Sequence, residues 1–234
     1  MLASAGDALF RPVRTGNAFE ETVERLLQAI RLGVTGPGQR LPAERDLATR
    51  LNISRVTLRE AIRALQESGY VESRRGRYGG TFVNEVLPTS KPTRNVTAVE
   101  IEDALTMRRV LEVGAAEAAA ARTLTPGERQ YLRAHLAETE TGELADYRRK
   151  DSRLHLAVAE VAGSTTLTSA VADVRVRINE LLDAIPVLNT NIGHSNAQHG
   201  EVVQHILDGD PAQARDSMAE HLEGTASLLR GFLS

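Results

Sequence analysis

The stretch Ser54-Arg55-Val56-Thr57-Leu58-Arg59-Glu60-Ala61-Ile62-Arg63-Ala64-Leu65 carries two stripes at helical spacing. At about 100° per residue, Leu58, Ala61, Ile62 and Leu65 fall on one face and form an apolar underside. Arg55, Arg59 and Arg63 recur at i, i+4 and i+8 on the face turned away from it. Ser54 is a good N-cap and Gly69 a stop, so a helix is expected over 54–68. Held by its apolar side, such a helix presents a row of guanidinium groups to the major groove of a DNA duplex. Arg55, Val56 and Arg59 lie near the N-terminus, the end that reads base edges in a helix-turn-helix. An arginine holds guanine O6 and N7 bidentately, discriminating against a wrong base by about 1–3 kcal/mol. Thr57 and the Ser54 cap suit phosphate contacts at the positive end of the helix dipole.

The flanking sequence completes the module. Residues 17–33 read as an amphipathic helix through Phe19, Val23, Leu26, Leu27 and Ile30, ended by Gly33. Gly36, Pro37 and Gly38 make a turn. A second short helix follows Pro42, with Leu47, Ala48 and Leu51 as its buried face. Two short strands, around Val71 and around Phe82–Val83, flank the loop Ser73-Arg-Arg-Gly-Arg-Tyr-Gly-Gly80. Arg74, Arg75 and Arg77 sit there among glycines, where the backbone can lie close to a sugar-phosphate chain. Three helices and a hairpin in this order outline a winged helix-turn-helix, expected over 1–84.

From Glu85 the composition turns to Pro, Thr, Ser and Lys without periodicity, which marks a linker over 85–96. Beyond it, in 97–234, only helical segments appear: 98–122, 126–141, 144–162, 165–184, 195–208 and 211–231. Breaks fall at Thr125-Pro126-Gly127, Gly142, Gly163, Pro186 to Gly193 and Gly209-Asp210-Pro211. The fold class is therefore mainly α: a winged helix with a small β-hairpin, then an all-α six-helix bundle able to enclose a cavity.

Composition agrees with this division. The net charge of −3 argues against a nucleic-acid binder only as an average. Residues 1–90 hold 13 Arg/Lys against 10 Asp/Glu, and residues 91–234 hold 15 against 21. A basic head thus precedes an acidic body. There is no cysteine, which excludes disulfides and thiolate metal sites. No secretory signal and no apolar run of about 18 residues is found, so a cytoplasmic protein without a membrane span is expected.

All six histidines lie beyond residue 130. Asp151 and His155 stand at i, i+4 on the stripe that contains Leu154, Val158 and Ala162. His199 shares the face of Val202, Val203 and Ile206, and His221 edges the face of Met218, Leu222 and Leu229. Unpaired burial of such groups costs several kcal/mol, so they need a reason. One reason is a nitrogen–oxygen site for a divalent transition metal. The other is a hydrogen-bonded core with an Asp–His ion pair. His205 points away from its stripe, and His135 and His194 show no comparable partnership. Arg108 shares a face with Ile101, Ala115 and Ala119, where it meets either an anion in a cavity or Glu112 of its own helix.

Three segments resemble the GntR family of regulators: Pro37-Gly38-Gln-Arg-Leu-Pro42-Ala-Glu44-Arg45-Asp-Leu-Ala48, then Ser54 to Leu65, then Gly79-Gly80-Thr-Phe-Val83. The likeness covers nearly all of 20–84. It implies that Arg45, Arg55 and Arg59 are the main DNA-contacting arginines, assisted by Ser54, Thr57 and Gly76, with Arg75 in the wing. It also implies a homodimer on an inverted-repeat operator. The remainder resembles the FCD effector domain of the FadR subgroup through Arg108-Arg-Val-Leu-Glu112, Asp151-Ser-Arg-Leu-His155, His199, Ile206-Leu-Asp-Gly-Asp210, Ala214 and His221-Leu222. That resemblance implies Asp151, His155, His199 and His221 as metal ligands. Zinc is the first expectation, with nickel or manganese as alternatives, and a small organic acid binds above the metal. Ser164 stands where the family usually has Asn, a position better suited to a helix cap than to a ligand.

The expected function is a sequence-specific DNA-binding transcription regulator, a repressor by the commoner family logic. It is controlled by a small carboxylate effector held by the metal and Arg108. Two rivals remain: a C-terminal bundle that only dimerises, and a metal-dependent hydrolase carrying a DNA-binding appendage. No further acid or base with convincing spacing accompanies the histidines, so no enzyme is expected.

Overall fold

The computed structural model describes residues 10, 12–14, 16–31, 34–76, 79–88, 96–141 and 144–233. In chain order the elements are α1 (Ala18–Arg31), α2 (Glu44–Leu51), α3 (Arg55–Glu67), β1 (Val71–Arg74) and β2 (Gly80–Val83). Six further helices follow: α4 (Ala98–Ala120), α5 (Pro126–Glu140), α6 (Leu144–Val161), α7 (Thr165–Asp183), α8 (Asn189–Asp208) and α9 (Pro211–Leu233). They fall into two compact units, 1–95 together with 224–234, and 96–223.

In the first unit the apolar stripes read from the sequence meet one another. Val23, Leu26 and Leu27 of α1, Leu47 and Leu51 of α2, and Leu58 and Leu65 of α3 are all fully buried. The sharp turn between α2 and α3 is made by Asn52, whose φ of 55° is left-handed and whose N–H closes on Ala48 and Thr49 carbonyls. Asn tolerates that conformation better than other side chains, and it ends α2 in time to reorient α3. The hairpin is antiparallel, with Val71 opposite Val83 and Arg74 opposite Gly80. Arg40 adds a bridge to Phe82, as a short third edge. Gly33, Arg77 and residues 89–95 of the expected linker lie outside the described residues.

The sequence reading assigned 97–234 to one effector domain, but the tail of α9 groups with the first unit. The reason is apolar packing. Leu228, Leu229 and Phe232 are buried, and the Phe232 ring meets Tyr70 edge-on at 5.9 Å. Gly231 lies close against Glu24 and Leu27 of α1, so a larger residue would have to displace them slightly.

In the second unit α4 packs on α7, α6 and α8, while α5 packs on α6 and α8. Its core joins Ala116, Leu132, Val158, Val203, Ala214 and Met218. Two helices start with full capping boxes, Thr97 with Glu100 and Thr125 with Glu128, which satisfies N–H groups that the helices themselves leave open. α8 ends on Gly209 at φ 73°, ahead of Pro211. One start differs from expectation. α8 begins at Asn189 rather than 195, because Leu188 is buried at its mouth and Gly193 continues the helix instead of breaking it. The polar run Asn189–Ser195 carries too few apolar residues for periodicity to reveal it. Among the described residues no helix is long and apolar enough to cross a membrane.

Phe232→Ala is expected to destabilise the first unit by about 3–5 kcal/mol, as a buried aromatic truncation does. Urea unfolding followed in the winged-helix unit measures it, and an unchanged midpoint would exclude the α9 tail from that core.

Candidate metal centre and nucleic-acid interface

The cap at the start of α3 is formed as its residues dictate. Ser54 Oγ accepts from the Thr57 N–H at 3.0 Å and lies 2.8 Å from Thr57 Oγ1. Leu58, Ala61, Ile62 and Leu65 are buried, and Arg55, Arg59 and Arg63 line the opposite, exposed side. Val56 stands 64% exposed between them, an apolar group where a thymine methyl could be met. Arg45 is 85% exposed at the start of α2. Arg75 and Gly76 are exposed in the wing, and Gly76 adopts φ +107°, which suits glycine and holds the turn open.

The guanidinium groups differ in their partners. Arg63 pairs with Glu67 at 2.9 Å and Arg59 with Glu44 at 2.9 Å. Arg74 turns back on the protein, to Glu72 at 2.6 Å and over the Phe82 ring at 4.4 Å, so of the wing arginines it is spent on the hairpin itself. Between α2, the start of α3 and the wing lies a concavity of about 440 Å³, lined by Arg40, Arg45, Arg55 and Arg74 together with Glu44, Ser73 and Thr81. Arg40 was not anticipated. Its guanidinium lies directly over Gly80, where any Cβ would strike it.

In the second unit Asp151 and His155 of α6, His199 of α8 and His221 of α9 converge. One donor atom from each lies within 4.8 Å of all the others, and all four residues are buried. His221 Nε2 is 3.1 Å from His199 Nε2 and 3.3 Å from His155 Nε2. Asp151 Oδ1 is 3.3 Å from His199 Nε2 and 3.7 Å from His155 Nε2. Donors bound to one ion at about 2.0–2.2 Å stand roughly 3–3.5 Å apart; three of these separations lie in that range and the Asp151–His155 distance lies just beyond it. Hydrogen bonding alone does not account for it: the Nδ1 atoms of His199 and His221 are buried with no partner among the described residues.

A second layer surrounds these groups. Glu112 Oε2 lies 2.6 Å from His155 Nδ1, an ion-pair contact that favours a proton on Nδ1 and a lone pair on Nε2. The other Glu112 oxygen faces Arg108 Nε at 3.4 Å and Arg175 Nη1 at 3.8 Å. Arg175, on α7, also donates to Asp151 and, at 3.1 Å, to Ser152 Oγ. The alternatives for Arg108 therefore coexist. One edge meets Glu112, while Nη1 is buried without a partner among the described residues, as is Arg175 Nε.

Electrostatics follow from this packing. Burial pushes the Glu112 carboxyl up, but His155, Arg108 and Arg175 outweigh it and bring it down to about 2. Burial likewise opposes ionisation of Asp151, and Arg175 and His155 still hold it well below the usual carboxylate range. Arg175 is raised despite burial by Asp151 and Glu112. Burial lowers Arg108, against the pull of Glu112. His199 is lowered by burial against its bond to Asp151, and His221 falls well below the ordinary imidazole value through burial and its histidine neighbours. Both imidazoles are thus kept neutral, the form that donates a lone pair.

Arg175 and the His155–Glu112 contact were not read from the sequence. The signal for Arg175 was present, since it shares the stripe of Val171, Val174 and Ile178. His135, read as unpartnered, is buried, with its ring edge-on to Tyr131 at 4.5 Å and Nδ1 at 3.2 Å from Glu138.

A winged helix exposing a row of arginines, followed by an all-helical domain, defines a DNA-binding transcription regulator. The description "Bacterial regulatory proteins, gntR family" matches residues 19–83 and the FCD domain matches residues 103–224, so the chain belongs to the GntR family, in its FCD-bearing FadR subgroup. A candidate HTH-type transcriptional regulator of Mycobacterium gastri, RmpR, is 32% identical, over 86% of this chain and 76% of its own length. The candidate regulatory protein of the L-lactate dehydrogenase operon in Escherichia coli is 29% identical, over 83% and 80%. LutR of Bacillus subtilis is 27% identical, over 87% and 97%. The solved structure of E. coli McbR/YncC shares the fold at a TM-score of 0.52 and 20% identity, covering 90% of this chain and 96% of that one.

Glu112→Gln leaves Arg108 and Arg175 buried with half of their compensating charge. The second unit should lose about 3–5 kcal/mol, the usual penalty for breaking one side of a buried ion pair. Chemical unfolding of the purified variant checks this, and a shift below about 1 kcal/mol would mean that the network contributes little.

Proposed function

We propose that this chain is a homodimeric repressor of an inverted-repeat operator, released by a small organic acid bound at a metal site in the FCD domain. Arg45, Arg55 and Arg59 contact the operator with Ser54, Thr57, Arg75 and Gly76, and Arg40 joins them on the phosphate backbone. Asp151, His155, His199 and His221 hold a divalent metal, zinc first among the candidates. The observation that carries the effector reading is the buried charge balance. Two ionised carboxylates, Asp151 and Glu112, face two guanidinium groups, Arg108 and Arg175, beside the neutral imidazoles of His199 and His221. A divalent ion added to that set leaves an excess of positive charge, and buried charge is costly until an anion offsets it. The metal supplies a Lewis-acidic seat for carboxylate or hydroxyl oxygen. The protein orients the anion: Arg108 Nη1 and Arg175 Nε are buried donors without an acceptor among the described residues.

The name of the L-lactate dehydrogenase operon relative supports a 2-hydroxy acid as the kind of effector. Release requires only that the acid bind one arrangement of the dimer more tightly than the DNA-bound one.

Elemental analysis of untreated protein, coupled to a thermal-shift screen of L-lactate and other 2-hydroxy acids, tests the reading. At a hundredfold excess over Kd, an effector should stabilise the folded form by about 2.7 kcal/mol. His199→Ala with His221→Ala should abolish bound metal, and full occupancy in that variant would remove the ligand assignment. Arg108→Ala should keep the metal yet lose the acid-induced shift. An unchanged shift would place the carboxylate elsewhere.

A further inference from the structure

Among the arginines of the DNA-facing concavity stands one acid that charge alone does not explain. Glu44 lines the same hollow as Arg40, Arg45 and Arg55, where a carboxylate repels the phosphates that these residues attract. Its contact to Arg59 is close and specific: Arg59 Nε donates to Glu44 Oε2 at 2.9 Å, across fifteen residues and from a different helix. Both side chains are exposed, Arg59 at 59% and Glu44 at 38%, and an ion pair so exposed adds little to stability. A carboxylate in the first turn of α2 also favours the helix dipole, but Asp46 already serves that purpose.

What the contact supplies is orientation. A guanidinium is a rigid planar fork, and anchoring Nε fixes the plane of the whole group. The two Nη groups are then presented as a pair, which is the geometry that grips O6 and N7 of guanine. An arginine on a flexible stem, left without an anchor, must lose more rotamer freedom when it binds a base.

We propose that Glu44 is a positioning residue for base recognition: it holds Arg59 in the orientation that reads guanine, at the expense of some affinity for the DNA backbone. The inference rests on the assignment of Arg59 as a base reader. The parent chain and its Arg59→Ala, Glu44→Ala and Glu44→Gln variants are each used to select bound duplexes from a random-sequence pool. Arg59→Ala should lose a guanine preference at one position of each half-site. Glu44→Ala should weaken the preference at that same position by about tenfold, while binding random duplex more tightly than the parent. Glu44→Gln drops the charge but keeps an acceptor oxygen, so it should restore most of the discrimination and retain the tighter random binding. Retained binding of random duplex shows that each head is folded. Undiminished preference in Glu44→Ala, or a loss at a different position, overturns the proposal. If Arg59→Ala alters no position, the base-reading role of Arg59 itself falls.

Discussion

The second unit is organised by the need to compensate charge inside an apolar bundle. Asp151, Glu112, Arg108, Arg175 and three histidines are all buried, and any one of them alone would cost several kcal/mol. The compensation is distributed across the fold. Arg108 and Glu112 come from α4, Asp151 and His155 from α6, Arg175 from α7, His199 from α8 and His221 from α9. Each helix that contributes a charged or ligating group also contributes apolar residues to the core around it, so register on one face determines register on the other. A helix that slipped by one residue would both open a cavity and strand a charge. α5 contributes no group to this cluster, and its buried His135 is satisfied locally, by Glu138 three residues on.

The pairing within the cluster is directional. Glu112 meets His155 on Nδ1, and Asp151 approaches both His155 and His199 on Nε2, so every inward lone pair points into one small volume. Arg175 reaches Asp151 and comes within ion-pair range of Glu112; it is the main counter-charge to Asp151, while His155 and Arg108 do more than Arg175 to keep Glu112 ionised against burial. An arrangement serving stability alone would be better built from apolar residues of similar volume. Retaining seven charged or histidine side chains together, several of their nitrogen atoms without a partner among the described residues, is more than packing requires.

How much of this could be read in advance depended on distance along the chain. The helices of both units show in periodicity because each buries a stripe, and the inward faces of His155, His199 and His221 follow from the same wheels. The start of α8 was hidden because Asn189–Ser195 is polar and contains a glycine that the helix tolerates. Wheels also place Arg108 inward, but they cannot tell whether its fork meets Glu112 or open space, and the structure divides it between the two. The contact of Glu112 with His155 joins different helices, and no local pattern encodes it. The packing of the α9 tail was hidden for a related reason: its apolar stripe is legible, but the identity of its partner, Tyr70 and α1, is a matter of tertiary packing.

Arginine has opposite physical roles in the two units, and the difference lies in solvent. On α3 and the wing the guanidinium groups are exposed and their acid partners are weak holds, worth well under what a charge-assisted contact with a base or phosphate returns. Arg59 can therefore keep Glu44 on one edge while exchanging water for DNA on the other. In the helical unit Arg175 is fully enclosed, and separating it from Asp151 would leave two uncompensated charges in a medium of low dielectric. Its position is consequently fixed before any ligand arrives. Donors held in this way would lose little freedom on meeting an anion. The exposed arginines instead keep their outer edges in water, Arg59 included although Glu44 holds its Nε, as a surface must if it is to slide over non-specific DNA before it settles on one sequence. A single side-chain chemistry thus behaves in two ways, exchangeable on a wet surface and fixed in an apolar interior, and burial decides which.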